Sequence, residues 1–137
     1  MSTNKSQTLS NDILMRSIKI IDIGYITVLY FTFSVILAML TDKIMGKFNP
    51  DIEKQKSILR LTIEMVVTIW MYGVLIYIVR NIVGAIPFPL DTYHGFDHKK
   101  VKELNSAMVF TFTYVLFSNY IKSKLLFYYN YLTPKQL

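Results

Sequence analysis

The chain has no cysteine among its 137 residues, so a disulfide, a thiolate metal site and a cysteine nucleophile are all excluded. Histidine is nearly missing too, with only His94 and His98. A cleavable signal peptide is not expected: the first long apolar run begins near Ile23, is too long for an h-region and is not followed by a small-x-small site. Serine at position 2 rules out N-myristoylation. No internal repeat, low-complexity linker, or catalytic or transport motif stands out. The most informative absence is that of charge from three long stretches.

Leu61 to Val79, LTIEMVVTIWMYGVLIYIV, lies between Arg60 and Arg80 and carries a single charge, Glu64. About 19 helical residues rise roughly 28 Å, close to the hydrocarbon thickness of a bilayer. Ile23 to Thr41 has no charge at all, and Leu104 to Ile121 is apolar through its centre, with Asn105, Ser106, Ser118 and Asn119 near its ends. With 53% hydrophobic and 15% aromatic residues, the composition fits an integral membrane protein rather than a soluble domain. The expected fold is all-α, a single membrane domain of three transmembrane helices (23–41, 61–79, 104–121) with termini on opposite faces. The competing reading has two spans, with the third run a buried or surface helix.

Local signals place the ends. Ser10 reads as a cap, with Leu9 and Leu14 as a staple, and Ile13 to Asp22 as an amphipathic stretch at the headgroups. Gly46 reads as a helix stop, and Asn49-Pro50-Asp51 as a restart leading towards the second span, which ends at Gly84 and Pro87. Ser34 and Ala38 form a small-xxx-small pair that would let a neighbouring helix approach. Lys122 and Lys124 mark the end of the third run, and Leu125 to Leu132 continues as an aromatic interfacial segment. Lysine and arginine number seven on one set of alternate faces and eight on the other, which leaves the orientation unassigned.

Glu64 lies about one turn inside the second span, where an unpaired charge costs several kcal/mol. Alternating topology sets it level with Asn119 and Lys122, its expected partners in a helix-packing clasp, with Arg60 as the same-helix alternative. An ion or proton site is the functional counterpart of that reading. By the same geometry Asp22, Arg80 and Glu103 meet at the opposite surface, near a belt of Tyr25, Tyr77 and Tyr93.

The loop 84–103, GAIPFPLDTYHGFDHKKVKE, is the least generic part of the chain. Pro87 and Pro89 favour an extended path. His94 and His98 lie within eight residues of Asp91 and Asp97, a weak metal candidate that lacks further ligands and in which Asp97 is needed as a cap. Phe88, Tyr93 and Phe96, read as exposed rings, with Lys99, Lys100 and Lys102 as a basic shoulder, form a candidate partner-binding surface.

IPFPLD, followed after a short turn by GFDHKKVKELNSAMVF, resembles a motif in small multi-pass membrane proteins of nucleocytoplasmic large DNA viruses, across roughly residues 85–118. The resemblance implies a viral protein of an infected-cell endomembrane or of the virion's internal membrane. It brings no catalytic residues with it.

The leading functional expectation is a structural or scaffold membrane protein that presents the loop to a protein partner or to copies of itself. A small oligomeric channel, lined by Thr62, Thr68 and Tyr72 beside Glu64, is the first alternative. A membrane enzyme subunit using His94, Asp97 and His98 is the second. No cofactor is expected. The formal charge of +6 suits anionic headgroups; no basic stripe with stacking aromatics suggests nucleic acid.

Overall fold

A computed structural model describes residues 2–134. The described residues are all-helical, with no strand: α1 (Ser2–Met45), α2 (Pro50–Lys54), α3 (Ile58–Ala85), α4 (Lys102–Ser106), α5 (Met108–Phe117) and α6 (Asn119–Leu132), with two short 3-10 turns, Tyr93–Gly95 and His98–Lys100, between α3 and α4. Two helices, α1 and α3, are long and apolar enough to cross a membrane.

Helix α1 starts well before Ser10, so the expected cap there is wrong. No glycine or proline occurs before Gly24 to interrupt it, and Ser6 and Thr8 turn their hydroxyls back onto the carbonyls of Thr3 and Asn4. It stops where Gly46 adopts a left-handed φ of 73° and donates its N–H to the Asp42 carbonyl at 3.0 Å. Asn49 caps α2 as expected, its side chain accepting from the Asp51 N–H. The helix then breaks, and Ser57 caps α3 anew by accepting from the Arg60 N–H.

The third apolar run differs most from expectation. It is not one helix: Ala107 is left-handed (φ 51°) and Ser118 is extended. Between the breaks α5 has ten residues, about 15 Å of rise, or half the hydrocarbon thickness.

The core forms along α1. Its buried positions are Ile18, Asp22, Ile26, Tyr30, Ser34 and Ala38, each four residues after the last. Four residues turn a helix by about 40° past a full circle, so a partner that follows this stripe must cross α1 obliquely. Different segments cover it in turn. The loop and α4 pack at the Ile18–Ile26 end, and Phe110 of α5 faces Tyr30, with ring centroids 6.4 Å apart. Ser34 and Ala38 are both fully buried, as their small size in a close helix crossing requires. Val79 and Val83 bring α3 into the same cluster, and Tyr72 stacks on Tyr114 at 5.0 Å.

Candidate functional site

A kinked helix frees backbone groups, and where they are buried other parts of the protein must take them up. At the Ala107 break, the Tyr30 hydroxyl donates to the Leu104 carbonyl, and Arg80 Nη1 donates to the Asn105 carbonyl at 3.4 Å. The Asn105 carboxamide in turn donates to the carbonyls of Lys99 (2.9 Å) and Val101 (3.2 Å).

At the Ser118 break, the Asp42 carboxylate accepts three hydrogen bonds: from the Ser118 hydroxyl (2.9 Å), the Asn119 N–H (2.9 Å) and the Tyr120 N–H (3.0 Å). A side chain of α1 thus caps α6. Burial would raise the Asp42 pKa, but the Tyr120 and Asn119 N–H groups, the Ser118 hydroxyl and the nearby Lys122 charge outweigh it and hold the carboxyl below its ordinary value.

Asn119 and Lys122 therefore serve Asp42, and their expected pairing with Glu64 is not what the structure has. Glu64 contacts Lys56 (2.8 Å), Arg60 (3.2 Å) and Lys124 (3.5 Å), and Lys56 also bonds Glu53 at 2.7 Å. The depth argument found the correct level but the wrong side of α6. Lys122 and Lys124 are separated by about 200° around a helix, and the Ser118 restart turns Lys124 inward. Because the partners are cations, this clasp is ionic. Glu64→Gln, which leaves Lys56 and Lys124 short of an anion, is expected to cost about 1–3 kcal/mol in detergent unfolding, whereas Arg60→Gln, at a largely exposed side chain, costs under about 1. Equal effects of the two would count against a shared, partly buried network.

The groups expected to line a pore are occupied within the chain. Thr62 bonds the Ile58 carbonyl and meets the Tyr128 hydroxyl, Thr68 donates to the Glu64 carbonyl, and Tyr72 donates to the Thr111 carbonyl.

The loop folds down onto α1. The extended path expected at both prolines ends at Phe88: Pro89 opens a turn closed by the Asp91 N–H on the Phe88 carbonyl at 3.0 Å, leaving Pro87 and Pro89 exposed and Phe88 buried. Phe88 and Phe96 are buried, contrary to their expected role as exposed contact rings; they pack with Tyr25 and each other. Tyr25 also donates its hydroxyl to the Pro87 carbonyl at 2.8 Å. Tyr93, Lys99 and Lys100 do remain exposed.

His98 lies beneath the loop, 2% exposed, with Nδ1 at 2.7 Å from both carboxylate oxygens of Asp22, itself 0% exposed. Its ring stacks on Phe88 at 5.3 Å. Burial raises the Asp22 pKa, outweighing the hydrogen bond and charge of His98, and Asp91 and Glu103 push it the same way as burial. The pair can hold a proton between two elements far apart in sequence. His98 Nε2 meets no hydrogen-bonding partner among the described residues, so no onward relay or activated nucleophile is assembled there.

His94 sits at the exposed tip, away from buried His98, and Asp97 caps the following turn by accepting from the Lys99 N–H. The enzyme reading and the metal reading both required these side chains to converge. They do not, and no group of three or more metal-ligating side chains forms among the described residues.

Sequence reasoning set Asp22 with Arg80 and Glu103, whereas its hydrogen-bonding partner is His98, and it gave no site role to Asp42, Lys56 or Lys124. A signal existed for Asp42: Ser118-Asn119 is a helix-cap dipeptide within an apolar run, and a new helix start calls for an acceptor. No protein-family model, curated protein or solved structure matches this chain.

Proposed function

We propose that the chain is a multi-pass integral membrane protein with three passes, the third interrupted, and that it acts as a scaffold presenting the loop tip Thr92–Gly95 to a protein partner. The supporting observation is the contrast between that tip and its base. Thr92 (φ 68°) and His94 (φ 50°) are left-handed without being glycine, a strain of order 1–3 kcal/mol each that persists only where the surroundings impose it. Here Asp91 Oδ1 accepts from the N–H groups of His98 (3.0 Å) and Thr92 (3.1 Å), the Thr92 N–H bonds the Phe96 carbonyl at 2.8 Å, and Phe88 and Phe96 anchor both arms. The result is a fixed, exposed Tyr93-His94 tip, with Tyr93 51% exposed, on a packed base. An internal membrane of a large DNA virus, implied by the resemblance of 85–118, is the setting this reading adopts.

Topology and surface can be tested together. Cysteines at positions 5 and 94 are expected to react with an impermeant reagent from one side of the membrane and a cysteine at 50 from the other. Position 135, the natural probe for the tail, lies outside the described residues. A photo-crosslinker at Tyr93 is expected to give a discrete adduct in native membranes, and one at Tyr129 none. Labelling of 5 and 94 from opposite sides would remove the paired passes of α1 and α3, and a cysteine at 133, exposed beyond α6, that reacts from the same side as 94 would remove the interrupted third pass. An adduct at Tyr129 alone would move the partner surface to α6.

A further inference from the structure

A cleft of about 560 Å³ opens between the last turns of α3 and the start of α4, lined by Arg80, Asn81, Gly84, Lys99 and Asn105 among others. Its lining contains two cations and two carboxamides and no acid. Among the described residues neither Arg80 nor Lys99 makes an ion pair, so no carboxylate of the chain neutralises the cations of the cleft. Arg80 gives one N–H to the Asn105 carbonyl, and its guanidinium lies 5.7 Å from the Tyr77 ring centroid, so donors remain free. Asn105 fixes Lys99 by bonding its carbonyl. Nothing stands within 4 Å of where a Gly84 side chain would begin, which leaves the cleft open there.

Arg80 is the first charge after the apolar run 61–79, so on the membrane reading the cleft lies among the headgroups. Below it, on the same face of α3 by helical spacing, come Tyr77, Val74, Gly73 and Trp70, all exposed. Gly73 has nothing within 4 Å of its missing side chain, so this strip forms a shallow apolar trough that leads up to the two cations. We infer that the cleft binds the phosphate of an anionic phospholipid, with Arg80 and Lys99 on the headgroup, Asn81 supplying hydrogen bonds, and an acyl chain lying along Tyr77, Gly73 and Trp70. Two basic groups at a membrane surface favour an anionic headgroup over a zwitterionic one, and a guanidinium suits phosphate oxygens in particular.

Trp70 is the chain's single tryptophan and is 70% exposed, so it reports on that strip. The protein is reconstituted in phosphatidylcholine bilayers containing increasing fractions of acyl-brominated phosphatidylglycerol or acyl-brominated phosphatidylcholine, and Trp70 fluorescence is followed. Quenching by the brominated phosphatidylglycerol is expected to reach half-saturation at a mole fraction about tenfold lower. Arg80→Gln with Lys99→Gln is expected to bring the two curves together, while Arg80→Lys with Lys99→Arg keeps them apart and controls for folding. Coincident curves in the wild type overturn the inference. So does collapse of the difference on adding millimolar inorganic phosphate, which would mark a site for free anions. The inference rests on the membrane reading, whose failure looks different: Trp70 would be quenched by neither lipid.

Discussion

Asp42→Ala is expected to destabilise the protein by about 2–4 kcal/mol, far more than loss of a surface carboxylate. The figure follows from what the carboxylate holds. An N-cap side chain contributes about 0.5–2 kcal/mol, and the one donor at a fully buried residue, the Ser118 hydroxyl, costs about 1–3 more when left without its partner. Three donors converge on Asp42, two of them backbone N–H groups that the Ser118 break leaves with no intrahelical acceptor. Were 104–121 one continuous helix, those N–H groups would be bonded within it and the substitution would be nearly silent. The effect on SDS-titrated unfolding, followed by circular dichroism, therefore tests the interruption itself.

The pH dependence carries a sign. Because the folded protein holds the Asp42 carboxyl below its ordinary value, the stabilisation is complete above the ordinary carboxylate range and is lost as pH falls through the lowered value. Asp42→Asn should accordingly flatten the acid limb of stability, whereas an unchanged limb would detach the titration from this cap.

The second large effect is expected at the buried pair. His98→Phe preserves a ring against Phe88 but leaves the Asp22 carboxylate buried alone, and removing one member of such a pair costs about 3–5 kcal/mol. Asp22→Leu combined with His98→Phe is expected to recover most of that loss, because two apolar groups in a packed site leave no charge unpaired. Here the pH sign is reversed. The folded state holds the Asp22 proton more tightly than the unfolded chain, so this group's contribution falls as pH rises between the ordinary carboxylate value and the raised one. The single variant should thus be least impaired in acid. A double variant no more stable than the single one would mean that His98 is held by its packing against Phe88 and Tyr25 rather than by its partner.

The parts of this architecture legible in the sequence are those written locally. The long apolar runs marked α1 and α3, Gly46 and Asn49-Pro50 marked a stop and a restart, and Ser34 with Ala38 marked the close crossing. What escaped depends on distant partners. An apolar run has the same composition whether it is straight or kinked, and the kinks at Ala107 and Ser118 persist because Tyr30, Arg80 and Asp42, from other helices, take up the freed groups. The loop was legible as ordered but not as inverted. Prolines at 87 and 89 indicated extended backbone, but Pro89 opens a turn, and which side chain faces inward depends on Tyr25 and Asp22 standing beneath the loop.

The four-residue stripe of α1 also makes that helix a ruler. Asp22 and Asp42 are five of its divisions apart, about 30 Å along the axis, and each division advances about 6 Å while rotating about 40°. One carboxylate latches the loop and the other starts α6, so the two ends of the molecule are kept in phase by a single unbroken rod. A residue inserted between them would shift one end by about 1.5 Å and turn it by about 100°, carrying one carboxylate off its partner while leaving the apolar run as greasy as before. The spacing of the two carboxylates along this helix is thus fixed by angle as well as by distance.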